Sequence, residues 1–371
     1  MSVSNIDREF VSGDSSDVGR AGAGGRPCQG VYYRPAGQHP KVAIIATHYD
    51  IDFSEHYLAD LMAQRGFGFL GWNTRFRGAG AYFLLEQALV DTAVGVRYLR
   101  EQGVETVVIL GNSGGGSLMA AYQAQAVHPV LHSNWVATPP TGLDHLPPAD
   151  LYISLNAHPG RPDVFTAWLD PAVTDEEDPL AVDPALDMFD PANGPPYSPE
   201  FIERYREGQV ARNNRITKWA QEELVRVTAA GTSDRMFLTH RGWADLRCED
   251  LTIEPTDRQR GCYRGDTRSA NYSAVGVGRV STLRTWLSMW SLETSPCRVI
   301  NTLPWVTIPA LVIQSTADEG VFPSDADELF DRLGAEDKTK MMIPGNHYFT
   351  DTPNGRDGVA DLIAEWLHAR T

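Results

Sequence analysis

Cysteine is scarce in this chain: four occur in 371 residues, Cys28, Cys248, Cys262 and Cys297, and no two form C-x-x-C. So few cannot make a disulfide framework, and their spacing does not suit a zinc knuckle. Buried free thiols in a reducing compartment are the expectation. Basic residues are also under-represented, with 32 Lys and Arg against 48 Asp and Glu, for a net charge of -16. Such a surface repels nucleic acid and anionic lipid, so neither is an expected partner. The chain has no apolar run long enough for a transmembrane helix, and its first residues lack a basic stretch followed by an apolar one. A cytoplasmic protein is expected. H-E-x-x-H does not occur, and no metal or cofactor is anticipated.

What the chain has is a core-forming composition, 42% hydrophobic, and a rhythm. Short strands are expected at 9–11 and 30–34. A glycine-dense stretch at 19–25 separates them and reads as a loose turn. From Lys41 onward strand and helix alternate. Strands fall at 42–46, 67–72, 106–110 and 151–155, and helices at 54–65, 82–102 and 115–126. Rhythm resumes with a strand at 310–314, a helix at 324–333, a strand at 340–343 and a helix at 359–369. This alternation predicts an α/β fold with a mostly parallel sheet flanked by helices. Residues 160–300 interrupt it with few clear strands, many prolines and helical patterns at 200–207 and 219–228. The division expected is a core of residues 1–159 and 301–371, with a largely helical cap at 160–300. The oligomeric state is open, a homodimer included.

Gly111-Asn112-Ser113-Gly114-Gly115 lies between a strand of Val107, Val108, Ile109 and Leu110 and a following helix. A serine at such a turn carries its hydroxyl above the sheet, and glycines two positions to either side remove colliding side chains. Ser113 is therefore the candidate nucleophile. The Gly114 N–H points where an oxyanion would form, at a helix N-terminus that favours negative charge. Ser117, inside the helix, reads as packing.

In element order and in this turn the chain resembles the α/β-hydrolase superfamily, over about residues 29–159 and 300–371. The resemblance implies an acid after the next-to-last core strand and a histidine after the last. Asp318, in Ser315-Thr316-Ala317-Asp318-Glu319, stands at the first place, with Glu319 as the alternative. His347, in Pro344-Gly345-Asn346-His347-Tyr348, stands at the second. Asp325 reads as the start of the following helix. A serine hydroxyl needs such a base, and the base needs a carboxylate to fix its tautomer.

The resemblance also implies a second oxyanion donor after the strand at 42–46. Many relatives carry His-Gly there, whereas this chain has Thr47-His48-Tyr49-Asp50. Tyr49-Asp50, with Thr74-Arg75-Phe76-Arg77-Gly78, is similar to cocaine-esterase-like and X-prolyl-peptidase-like hydrolases. In those enzymes a loop tyrosine donates through its phenol. Tyr49, by phenol or backbone N–H, and Asp50 are the candidate oxyanion residues, with cap packing as the alternative for Tyr49. His48, His158, Trp168 and Phe322 are candidate substrate contacts. Cap aromatics such as Phe165, Trp243, Trp286 and Trp290 favour an apolar or aromatic substrate. Arg241, Arg247, Arg264 and Arg268 read as surface residues or carboxylate ligands.

The expected activity is hydrolysis of a small-molecule carboxylic ester or lactone through an acyl-enzyme. The same triad would serve a carbon–carbon bond hydrolase, a thioesterase or an amidase. A non-catalytic binding protein with a hydrolase-like pocket is the alternative of another class.

Overall fold

A computed structural model describes residues 5–15, 26–129, 131, 135 and 138–371. The glycine-dense stretch expected to form a loose turn lies outside the described residues. The strands are β1 (Ile6–Gly13), β2 (Cys28–Pro35), β3 (Val42–Ala46), β4 (Gly68–Asn73), β5 (Thr106–Asn112), β6 (Leu151–Leu155), β7 (Val173–Asp175), β8 (Asp178–Val182), β9 (Met236–Leu238), β10 (Val280–Thr282), β11 (Ala310–Ser315) and β12 (Lys338–Ile343). Eight of them form one sheet in the order β1-β2-β4-β3-β5-β6-β11-β12. β1 and β2 pair antiparallel, as do β2 and β4, and every other pairing in the sheet is parallel.

Side chains alternate across a strand, so β5 feeds two cores. Val107 and Ile109 enter the cluster with Ile45, Tyr152, Leu89 and Leu118. Val108 and Leu110 enter the other, with Ile44, Phe69, Ile153, Leu311 and Ile363. The first cluster is covered by helices α2 (Leu85–Glu101) and α3 (Gly115–Val127). The second is covered by α1 (Ala59–Gln64) and the final helix Gly355–His368. Expected and observed elements agree closely here, although α1 begins five residues later than the sequence suggests.

Register brings the strand ends together. Asn112 pairs with Leu155, Leu155 with Ile313, and Ser315 with Ile343. Residues just beyond β5, β6, β11 and β12 therefore share one edge of the sheet. That C-terminal edge is where open parallel sheets place their ligands.

Between β6 and β11 the chain leaves the sheet and forms two small two-stranded antiparallel sheets, the β7–β8 hairpin and the pair β9–β10. It also forms α4 (Arg161–Trp168) and α5 (Pro199–Ala229). The sequence suggested two separate helical patterns where α5 runs unbroken for 31 residues. Polar residues on its buried face hide the periodicity. Gln209 donates to Ala167 O and Leu169 O, and Arg212 to Asp170 O and Glu176. Ser198 caps the helix by accepting from Phe201 N, and Pro199 suits its first turn.

Candidate active site

Ser113 has φ 55°, a left-handed backbone uncommon for a residue with a side chain. Its surroundings impose that turn. A Cβ on Gly111 would fall 2.3 Å from Gly116 Cα, and one on Gly115 would fall 2.4 Å from Thr47 O. Ser113 N donates to Leu155 O at 3.0 Å, and Asn112 Nδ2 donates to the same carbonyl at 2.9 Å. Asn112 Oδ1 meets His56 Nε2 at 3.1 Å, bracing the turn from below. The G-x-S-x-G pattern leaves the second position free, so nothing in it pointed to Asn112 or His56.

His347 and Asp318 are buried and joined, Nδ1 to Oδ2 at 2.6 Å. Asp318 Oδ1 accepts from Gly320 N and Val321 N at 3.0 and 2.9 Å, which fixes the carboxylate. Of the two candidate acids, Asp318 is the one bonded to the histidine. Asp325 opens the helix Pro323–Arg332, accepting from Phe322 N, as expected.

Asn156 was not singled out from sequence, yet it links three strand ends. Its Oδ1 accepts from Ser315 N at 2.7 Å, and its Nδ2 donates to His347 O at 2.9 Å. Tyr263 was also missed. Its ring lies 4.8 Å from that of His347, and Trp243 meets it edge-on at 5.4 Å while stacking on Trp168 at 4.3 Å. Trp168 also meets the Tyr263 ring directly, edge-on at 6.2 Å, so one ring separates it from the histidine. A lone tyrosine in an irregular segment gives no sequence signal.

Tyr49 is fully buried, and its phenol pairs with Ser117 Oγ at 3.0 Å. That hydroxyl bond engages the phenol, which would have to leave Ser117 to reach an oxyanion. Ser117 also donates to Gly114 O, and its role is packing of the turn. Asp50 is partly exposed, 3.7 Å from His48 Nδ1 and from Arg161 Nη2. Burial pushes His48 down to about 4 and His158 well below the ordinary histidine range. His158 Nδ1 is buried without a hydrogen-bond partner.

Phe322 packs under the guanidinium groups of Arg247 and Arg258, at 3.7 and 5.2 Å. Two of the four arginines singled out from sequence are held in ion pairs, the buried Arg241 with Asp170 and the partly buried Arg247 with Asp245. A cavity of about 590 Å³ opens in the inserted segment beside Glu176, Arg215, Trp219 and Phe237, and no candidate catalytic residue lines it. Among the described residues no group of three or more His, Cys, Asp or Glu could hold a metal ion, and no helix is long and apolar enough to cross a membrane. All four cysteines are free and buried.

The strand order and the strand–turn–helix at Ser113 define an α/β-hydrolase fold. Solved structures agree. DcsB, in complex with its substrate analogue, matches with a TM-score of 0.54 at 12% identity, covering 98% of this chain and 99% of that one. The α/β hydrolase GrgF from Penicillium sp. sh18 matches with a TM-score of 0.50 at 12% identity, covering 98% and 97%. At such identities the shared property is the fold. No protein-family model matches the chain, and no curated protein matches it by sequence.

Proposed function

We propose that this chain is a serine hydrolase that cleaves a carboxylic ester or lactone of an apolar or aromatic small molecule through an acyl-enzyme. The observation carrying this reading is the left-handed Ser113 turn on the same sheet edge as the buried His347–Asp318 pair. In this reading Ser113 Oγ attacks the carbonyl carbon while His347 Nε2 takes its proton. Asp318 holds the Nδ1–H and stabilises the imidazolium. The carbon–oxygen bond then breaks, and His347 returns the proton to the leaving alcohol. Water, deprotonated by His347, attacks the acyl carbon and frees Ser113. The cycle calls for no metal or cofactor.

Residues 1–159 and 301–371 serve as the hydrolase core and 160–300 as its cap. The aromatic cluster of Tyr263, Trp243 and Trp168 beside His347 supports an apolar or aromatic substrate. Four buried free thiols suit a reducing compartment such as the cytoplasm. The test is labelling by a fluorophosphonate probe, with label expected on the wild type and lost in Ser113→Ala. A folded wild-type protein that takes no label overturns the reading. A panel of p-nitrophenyl esters, lactones and acyl-thioesters then ranks the bond types.

A further inference from the structure

Arg161, the first residue of α4, is only 4% exposed. Its guanidinium lies against two aromatic faces, Tyr49 at 4.7 Å and Trp290 at 5.3 Å. Nη2 donates to His48 Nε2 at 3.3 Å. Asp50 is 3.7 Å away, too far for a hydrogen-bonded ion pair, and Arg161 Nε is buried without a partner. A buried arginine with spare donors and one loose counter-ion is a group waiting for an anion.

Its position says which anion. A Cβ built on Gly114 would stand 2.9 Å from Arg161 Nη2 and 2.8 Å from His48 Nε2. Covalent geometry puts the Gly114 nitrogen about 2.5 Å from that Cβ, so it lies at most about 5.4 Å from Nη2. One oxygen can accept from two donors up to about 5.8 Å apart at ordinary hydrogen-bond lengths. Gly114 is the N-cap of α3, at the helix end where backbone donors have no intrahelical acceptor.

We propose that Arg161 is a catalytic residue that donates a hydrogen bond, alongside the Gly114 N–H, to the oxyanion formed when Ser113 attacks. The inference rests on the serine-hydrolase reading above. In this reading Arg161 supplies the second oxyanion donor that the resemblance places in the loop after β3. Tyr49 and Trp290 hold the guanidinium plane, and His48 fixes its direction. The arginine keeps its proton throughout: the negative charge that develops on the carbonyl oxygen returns to the carbonyl bond when the leaving group departs.

The test compares wild type with Arg161→Gln on p-nitrophenyl butyrate and on p-nitrophenyl hemiglutarate, which carries a carboxylate. Loss of one such donor typically costs a hundredfold or more, so kcat on the neutral ester should fall about a hundredfold, with KM within about threefold. Affinity for phenylboronic acid, whose serine adduct carries a tetrahedral anion, should fall in parallel, and Arg161→Lys should recover part of both. An Arg161→Gln kcat within about threefold of wild type on the neutral ester overturns the inference. So does a loss confined to KM for the carboxylate ester, which would make Arg161 a substrate anchor. If Arg161→Gln does not fold, Trp290→Leu carries the test: it frees the guanidinium and should lower kcat about tenfold without raising KM, and an unchanged kcat overturns the inference. A wild type that neither hydrolyses the ester nor takes a fluorophosphonate label overturns the hydrolase reading and this inference with it. Normal wild-type turnover with an unaffected Arg161→Gln overturns this inference alone.

Discussion

The Asn156 carboxamide donates to the main-chain carbonyl of His347 at 2.9 Å and accepts from Ser315 N at 2.7 Å. One buried side chain thus ties the end of β6 to the end of β11 and to the loop after β12. Its own φ of 43° suits asparagine better than most residues. Asn156→Ala leaves two buried main-chain groups unsatisfied. We expect a loss of about 2–4 kcal/mol in urea unfolding, and a fall in kcat greater than any rise in KM.

Tyr49→Phe removes the bond to Ser117 but keeps the ring beneath Arg161. Turnover on p-nitrophenyl butyrate should stay within about threefold of wild type, with a stability loss of about 1 kcal/mol. Tyr49→Leu removes the ring as well and should lower kcat further. A hundredfold loss in Tyr49→Phe would return the phenol to the oxyanion.

A Cβ on Gly320 would lie 2.2 Å from the Tyr263 ring, which itself rests on His347. Gly320→Ala should cost about 1–3 kcal/mol by overpacking and lower kcat by shifting the histidine. Because the clash needs Tyr263, Gly320→Ala should cost much less in a Tyr263→Leu background, and a double-mutant cycle measures that coupling.

His48 and His56 are both pushed down to about 4 by burial, below the unfolded value of about 6.5. The fold therefore favours their neutral forms. Their contribution is fully present above about pH 6.5 and drains away as pH falls toward 4, on the order of 3 kcal/mol for each. Urea midpoints measured across that window should drop steeply. His56→Gln should make the slope shallower by about one proton.

The parallel core was legible because period and composition suffice for buried strands: the run Val107–Leu110 reads the same in sequence and in space. The placement of the candidate residues Ser113, Asp318 and His347 was legible because each follows a recognisable strand, and strand ends gather on one edge. α5 was only half legible, since Gln209, Arg212, Asn213 and Thr217 are buried where an amphipathic pattern calls for apolar residues. The four arginines singled out in the inserted segment did not include Arg161, which no local pattern distinguishes from them.

The sequence by itself determined the α/β layering, the turn that carries the serine and the order of the candidate triad, because these depend on neighbours within a few residues. Only the tertiary structure decided that the Tyr49 phenol is taken by Ser117, that Phe322 packs under arginines and that Arg161 stands over Gly114. Each of those contacts joins segments far apart in the chain, 47 residues in the case of Gly114 and Arg161. Their partners are chosen by burial and by competition for hydrogen bonds, which exist only once the chain has closed on itself.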